Sequence, residues 1–171
     1  IDKYGNNILS EACVNDNLEI VKYLIDEKRF DVDKLNKYQQ SCIYSCCHAK
    51  TNNVFDYLVS KYSIDIHNIT DKYGLTVMHN SRRTIFLNHL IKNYKFDIES
   101  TNSHNEKNIM FYATSFKNLG IIDYVIKNSS FTIYNIDEEQ NSILYISLLL
   151  LKDFEFSQHL IKRYKFDINY K

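Results

Sequence analysis

The sequence predicts an all-α solenoid assembled from helix–turn–helix repeats, and three observations predict it. The 171 residues include no Pro and only three Gly (Gly5, Gly74 and Gly120), which suits helices and argues against a loop-rich sandwich. The chain is also self-similar. Asp2-Lys3-Tyr4-Gly5 returns as Asn36-Lys37-Tyr38-Gln39 and as Asp71-Lys72-Tyr73-Gly74. Phe30-Asp31-Val32 returns as Ile64-Asp65-Ile66, Phe96-Asp97-Ile98, Phe131-Thr132-Ile133 and Phe166-Asp167-Ile168, at intervals of 34, 32, 35 and 35. Finally, apolar residues recur at helical spacing inside every interval. So regular a period means stacked units that bury their apolar faces on one another, not a single closed core.

Five units fill a single domain: 2–35, 36–70, 71–102, 103–136 and 137–171. Each opens on a turn-forming finger. Next comes a residue type that caps helix N-termini with a side-chain oxygen: Asn7, Ser41, Thr76, Asn108 or Ser142. An apolar pair follows (Ile8-Leu9, Cys42-Ile43, Val77-Met78, Ile109-Met110, Ile143-Leu144), then a small residue: Ala12, Cys46, Ser81, Ala113 or Ser147. These predict a short first helix that a neighbour approaches closely. A second helix is predicted from Leu18, Val21, Leu24 and Ile25, from Val54, Phe55, Leu58 and Val59, and from Leu119, Ile121, Ile122, Val125 and Ile126. The Phe-Asp-Ile segment is expected to run extended into the next finger.

The pattern resembles the ankyrin repeat over essentially the whole chain. The third unit keeps it best, as Asp71-Lys72-Tyr73-Gly74-Leu75-Thr76-Val77-Met78-His79; the first keeps Asp2, Gly5, Leu9, Ala12, Leu18, Val21, Leu24, Ile25 and Asp31. The family's motif Pro is replaced by Ile8, Cys42, Val77, Ile109 and Ile143. The glycine before the Asp is lost, which predicts a slightly longer second helix capped without a left-handed Gly. The resemblance implies a non-catalytic module that binds another protein through finger tips and the outward side of the first helices. Carried onto this sequence, the tips are Lys3-Tyr4, Lys37-Tyr38, Lys72-Tyr73, His104-Asn105 and Glu138-Glu139. Stacking would set Tyr4, Tyr38 and Tyr73 in a row, although 14 Tyr in the chain make composition a competing explanation.

Other chemistries find little support. With 21 basic and 21 acidic residues the chain lacks the basic excess of a nucleic-acid binder, and neither a dinucleotide-binding nor a P-loop glycine pattern is present. No apolar run reaches 18 residues, so no membrane partner is expected. Cys42, Cys46, Cys47 and His48 have zinc-ligand chemistry, but Ala12 and Cys13 hold the places of Cys46 and Cys47 one unit earlier, so the thiols are expected to fill core slots. Cys13 and Cys47 are expected too far apart for a disulfide. His89 and His159 share a second-helix slot with Tyr23, Tyr57 and Tyr124, and His79 is the family's structural His. No cofactor, metal or catalytic residue is assigned, and free thiols suit an intracellular, cytoplasmic setting.

The expected function is a protein–protein interaction module or scaffold. The alternatives are a targeting portion of a larger enzyme or ubiquitin-ligase adaptor, and an architectural subunit of a large assembly. Neither end reads as a polar cap, which suggests a segment of a longer array or an end covered by a partner. Ile143–Leu151 in particular is apolar on nearly every side. The third unit lacks three residues between Ser81 and its second helix. Its first helix should therefore be shorter by nearly a turn of about 3.6 residues, leaving Arg82 and Arg83 in the turn beside a notch. There they could pair a partner's carboxylates.

Overall fold

The computed structural model describes residues 1–102, 104 and 107–167. The chain is an all-α, ankyrin-type helical repeat, divided into two compact units, Ile1–Phe96 and Asp97–Lys171.

In the first unit, α1 (Ile8–Val14) and α2 (Leu18–Asp26) form the first helix pair. Asn7 Oδ1 accepts the Ser10 N–H at 3.0 Å and Asn17 Oδ1 accepts that of Ile20 at 3.1 Å, so both helices start on side-chain caps. The second pair is α3 (Cys42–Ser45), continued by a 3₁₀ turn Cys46–His48, and α4 (Asn53–Tyr62). Ser41 sits at the N-cap of α3 without a capping side-chain bond. In the third repeat the shortening exceeds the expectation. Residues 77–80 form one turn, held by Asn80 N–H to Thr76 O at 3.2 Å, and only the second helix, α5 (Thr84–Tyr94), remains.

Successive pairs pack through buried side chains. Cys13 meets the thiols of Cys42 and Cys46, not that of Cys47. Cys47 Sγ instead donates to Val77 O at 3.4 Å. All four cysteines are free and buried, and all are pushed up from the ordinary thiol range, Cys42 by its Cys13 contact and then burial, Cys47 by burial. Tyr44 Oη reaches Leu75 O of the third repeat at 2.9 Å and Ile69 O at the end of its own repeat at 3.0 Å. Phe55 sits edge-on to both Phe86 and Tyr94, at 5.0 and 5.4 Å.

One expectation about the segments after the second helices needs correction, and another is refined. The Phe-Asp-Ile segment bends instead of running extended. Asp31 and Asp97 each accept the N–H two residues on at 2.9 Å, and Asp65 does so at 3.3 Å, so the recurring Asp is a turn builder. The helix ends lack glycine as expected, yet the left-handed conformation persists at Ser63 (φ 50°), Lys95 (φ 59°) and Lys165 (φ 51°).

The second unit contains α6 (Ile109–Ser115), α7 (Leu119–Asn128), α8 (Ile143–Tyr145) running into a π-helical stretch Ile146–Leu150, and α9 (Phe154–Tyr164). Asn108, Asn118 and Asp153 cap three of them. The Leu151 N–H reaches back to Ile146 O at 2.9 Å, and Ser147 and Ser157 share a buried hydroxyl bond at 2.9 Å. Asp123 on α7 clamps α9: its Oδ1 accepts from Tyr164 Oη at 2.7 Å and from Arg163 Nε at 2.9 Å. The Arg163 bonds hold the Asp123 carboxyl below the usual range, with the Tyr164 bond adding to them. A carboxyl lowered in the folded state stabilises it above the unfolded-state value and loses that effect as pH falls. Asp123→Asn should therefore cost about 1 kcal/mol at pH 7, kept small by solvent screening of this half-exposed pair. Thermal melts of both proteins should converge as pH drops below about 4.

Candidate interaction surface

Within residues 1–96 the three fingers are built by one device. Asp2 Oδ1 accepts the N–H groups of Tyr4 and Asn6 at 2.8 and 2.9 Å. Asn36 Oδ1 accepts those of Tyr38 and Gln40 at 2.8 and 3.1 Å, and Asp71 Oδ1 those of Tyr73 and Leu75 at 2.9 and 3.1 Å. One side-chain oxygen thus rolls the backbone into a tight loop that presents the intervening Lys-Tyr pair outward. The fingers are also joined to each other: Lys37 N–H donates to Tyr4 O at 3.0 Å and Lys72 N–H to Tyr38 O at 2.9 Å. Asn36 Nδ2 bonds Asn6 Oδ1, and Gln40 Nε2 bonds Asp71 Oδ2, both at 2.8 Å.

This register brings the tyrosines together. Tyr4 and Tyr38 have ring centroids 6.0 Å apart, Tyr38 and Tyr73 6.4 Å, with interplanar angles of 38° and 37°. Lys72 Nζ lies 4.4 Å from the Tyr38 ring and 4.9 Å from that of Tyr73, and Lys3 Nζ lies 4.8 Å from Tyr4. Lys37 Nζ turns to Lys3 O at 2.8 Å. Tyr4 and Tyr73 are exposed and Tyr38, between them, is half-buried. The result is a continuous aromatic and cationic strip along three finger tips. The row follows from the repeat pattern, but the ammonium groups over its rings do not, because cation–ring pairing depends on side-chain torsions that no repeat pattern encodes.

The other predicted residues lie elsewhere. Arg82 and Arg83 are exposed in the segment before α5. Burial and then the Arg82 charge lower His48 from the usual imidazole range, so Arg82 lies close to the end of the preceding repeat's first helix. In the second unit, His104 is exposed in a turn, and Asn105 lies outside the described residues. Glu138 and Glu139 are exposed; Asn141 Nδ2 bonds Glu139 at 3.0 Å, and Lys107 pairs chiefly with buried Asp137 at 3.1 Å. His89 does more than fill an aromatic slot, because its Nε2 meets Asp56 at 2.7 Å, where Tyr94 Oη also donates. Among the described residues no group of His, Cys, Asp and Glu is arranged to hold a metal ion. No helix there is long and apolar enough to cross a membrane.

Ankyrin repeats are thus defined by helix pairs, fingers and their stacking, and known proteins agree. The family model for ankyrin repeats, spanning three copies, matches residues 1–71. The fold of the ankyrin repeat protein EF0377 superposes with a TM-score of 0.62 at 17% identity, covering 96% of this chain and 83% of that one. A chain from the complex of the predatory endopeptidase Bd0816 of Bdellovibrio bacteriovorus with immunity protein Bd3460 superposes at 0.57 and 17% identity, covering 95% and 78%. No curated protein sequence matches. Residues 1–71 carry ankyrin repeats, a protein–protein interaction module, and the fold over nearly the whole chain is that of ankyrin repeat proteins.

The finger geometry makes a paired prediction. Gly5 has φ +89°, and a Cβ there would lie 3.2 Å from the Lys37 backbone nitrogen of the next finger. Gly5→Ala should destabilise by about 1–2 kcal/mol. Gly120→Ala, in helix α7 and exposed, should stabilise by about 0.5–1 kcal/mol. Denaturant titration of the two variants checks both signs.

Proposed function

We propose that the chain is a non-catalytic scaffold that docks another protein along the finger row of Lys3, Tyr4, Lys37, Tyr38, Lys72 and Tyr73. The observation that carries this is the spacing of three tyrosine rings at 6.0 and 6.4 Å, bracketed by lysine ammonium groups. Tyr offers wide, stiff contact area at low entropic cost, and the ammonium groups favour a partner segment carrying carboxylates or open carbonyls. A non-catalytic role is supported by the cysteines, whose buried thiols are raised away from the thiolate form a nucleophile needs. Four free thiols also suit a reducing, intracellular setting.

Two tests follow. A pull-down with mass spectrometry identifies the partner, and Tyr4→Ala/Tyr38→Ala/Tyr73→Ala should then lose about 1–3 kcal/mol of affinity per buried ring in calorimetry. Unchanged binding would reduce the row to a composition effect. Arg82 and Arg83, in the repeat that lacks its first helix, form a second contact for carboxylates in this reading. Arg82→Glu/Arg83→Glu should slow association, with a loss that shrinks as salt is raised; equal affinity at low salt would remove the pair from the site. His104, Glu138 and Glu139 belong to other tips, whose acidic character would take a basic segment.

A further inference from the structure

After three of the Phe-Asp-Ile-type segments, the next side chain reaches across to the following repeat. His67 stacks on Phe96 at 4.3 Å, Glu99 accepts the Ser130 N–H at 2.6 Å, and Tyr134 Oη accepts the Asp167 N–H at 3.0 Å. Asp33 holds that place in the first repeat, and it departs from the pattern. Its backbone N–H donates to Asp31 at 2.9 Å, but among the described residues its carboxylate accepts no hydrogen bond and pairs with no cation. A second side chain close to it also leaves its usual role. Asn7, Asn108 and Ser142 cap the first helices of their repeats and Thr76 bonds His79, whereas Ser41 makes no capping bond.

Both residues line one cleft of about 280 Å³, formed inside residues 1–96 by the segments that follow α2 and α4. Leu35, which is 56% exposed, lines it with Ile64 and Ile69, and Thr70 brings a second hydroxyl. Tyr44 also lines it, with its own hydroxyl already held by Leu75 O and Ile69 O. Asp33 is the one charged side chain on this lining. The volume is small for a drug-sized ligand and suits a single long side chain. A carboxylate among aliphatic walls matches a cation carried on an aliphatic stem. The acceptor set decides between the two basic side chains. One carboxylate and two hydroxyl oxygens fit the planar, many-donor guanidinium better than the compact ammonium, which also gives up its water less readily.

We infer that this cleft is a binding site for an arginine side chain of a partner protein. The guanidinium pairs with the Asp33 carboxylate and donates to the Ser41 and Thr70 hydroxyls, while its stem lies along Leu35, Ile64 and Ile69. The inference does not rest on the finger row, whose lysines call for the opposite charge.

Backbone-amide NMR of the 171-residue chain tests it, with the capped peptide acetyl-Gly-Arg-Gly-amide as probe. Saturable shifts should centre on Asp33, Ser41 and Thr70. The citrulline peptide, of the same shape without the charge, should bind about fivefold more weakly. The lysine peptide and free guanidinium ion, which lack the fork and the stem respectively, should also bind more weakly. Asp33→Asn should bring the same fivefold loss towards the arginine peptide with an unchanged melting temperature, because only its backbone is hydrogen-bonded. Glu19→Gln, exposed on α2 and away from the lining, should bind like wild type. The inference is overturned if no saturable shift appears or if the shifts lie elsewhere. It is equally overturned if Asp33→Asn binds like wild type, or if the citrulline peptide, the lysine peptide or guanidinium matches the arginine peptide.

Discussion

A pair of short helices has two apolar sides and can bury neither by folding on itself. α1 has seven residues and α3 four, well below the length at which an isolated helix holds together in water. What stabilises them is the neighbouring repeat, through the thiol contacts of Cys13 and the bond from Tyr44 Oη to Leu75 O. The same constraint accounts for the fingers. Once the helix pairs are stacked, successive loops lie within hydrogen-bonding distance, and the Lys37 and Lys72 N–H groups find the carbonyls of the preceding tips. The tyrosine row is therefore a consequence of helix packing, transmitted to the surface by backbone bonds.

The elements that were legible in the sequence depend on backbone rules repeated at fixed intervals. Asn7, Asn108 and Ser142 cap helices because a short side-chain oxygen reaches the N–H two or three residues on. What was not legible depends on competition between partners. Thr76 has a capping side chain, yet its hydroxyl meets His79 Nδ1 at 3.0 Å and no helix follows, because the three missing residues leave room for a single turn. Asp31, Asp65 and Asp97 looked like parts of an extended segment, but an Asp oxygen two residues before an N–H closes a turn. Left-handed Ser63, Lys95 and Lys165 were invisible because no glycine marks them.

The cysteine cluster is governed by its packing surroundings. Three thiols within six positions suggest a metal site by type, but Cys42 and Cys46 face the first repeat and Cys47 the third, and all are buried. Burial works against the thiolate, the form that both metal binding and nucleophilic attack require. A small polarizable side chain is the simplest filler where helices come close, and Ala12, Ala113 and Ser147 do the same work in the other repeats.

The stacking contact is directional, and that asymmetry shapes the surface. The carboxylates Asp26, Asp56 and Asp123 lie on one second helix and accept from Lys61, from His89 and Tyr94, and from Arg163 and Tyr164 on the next. Acceptors face one way along the chain and donors the other, so an interior repeat satisfies both sides at once. Charge is consumed in these pairs along the second helices. On the finger tips the acidic or amide side chain is instead consumed locally, with Asp2, Asn36 and Asp71 each turned inward on its own loop. The lysines and tyrosines beside them are left outward. A chain with no net charge thereby presents cationic side chains outward on these tips, because the Asp2 and Asp71 carboxylates are engaged by their own loops while lysine ammonium groups lie on aromatic faces.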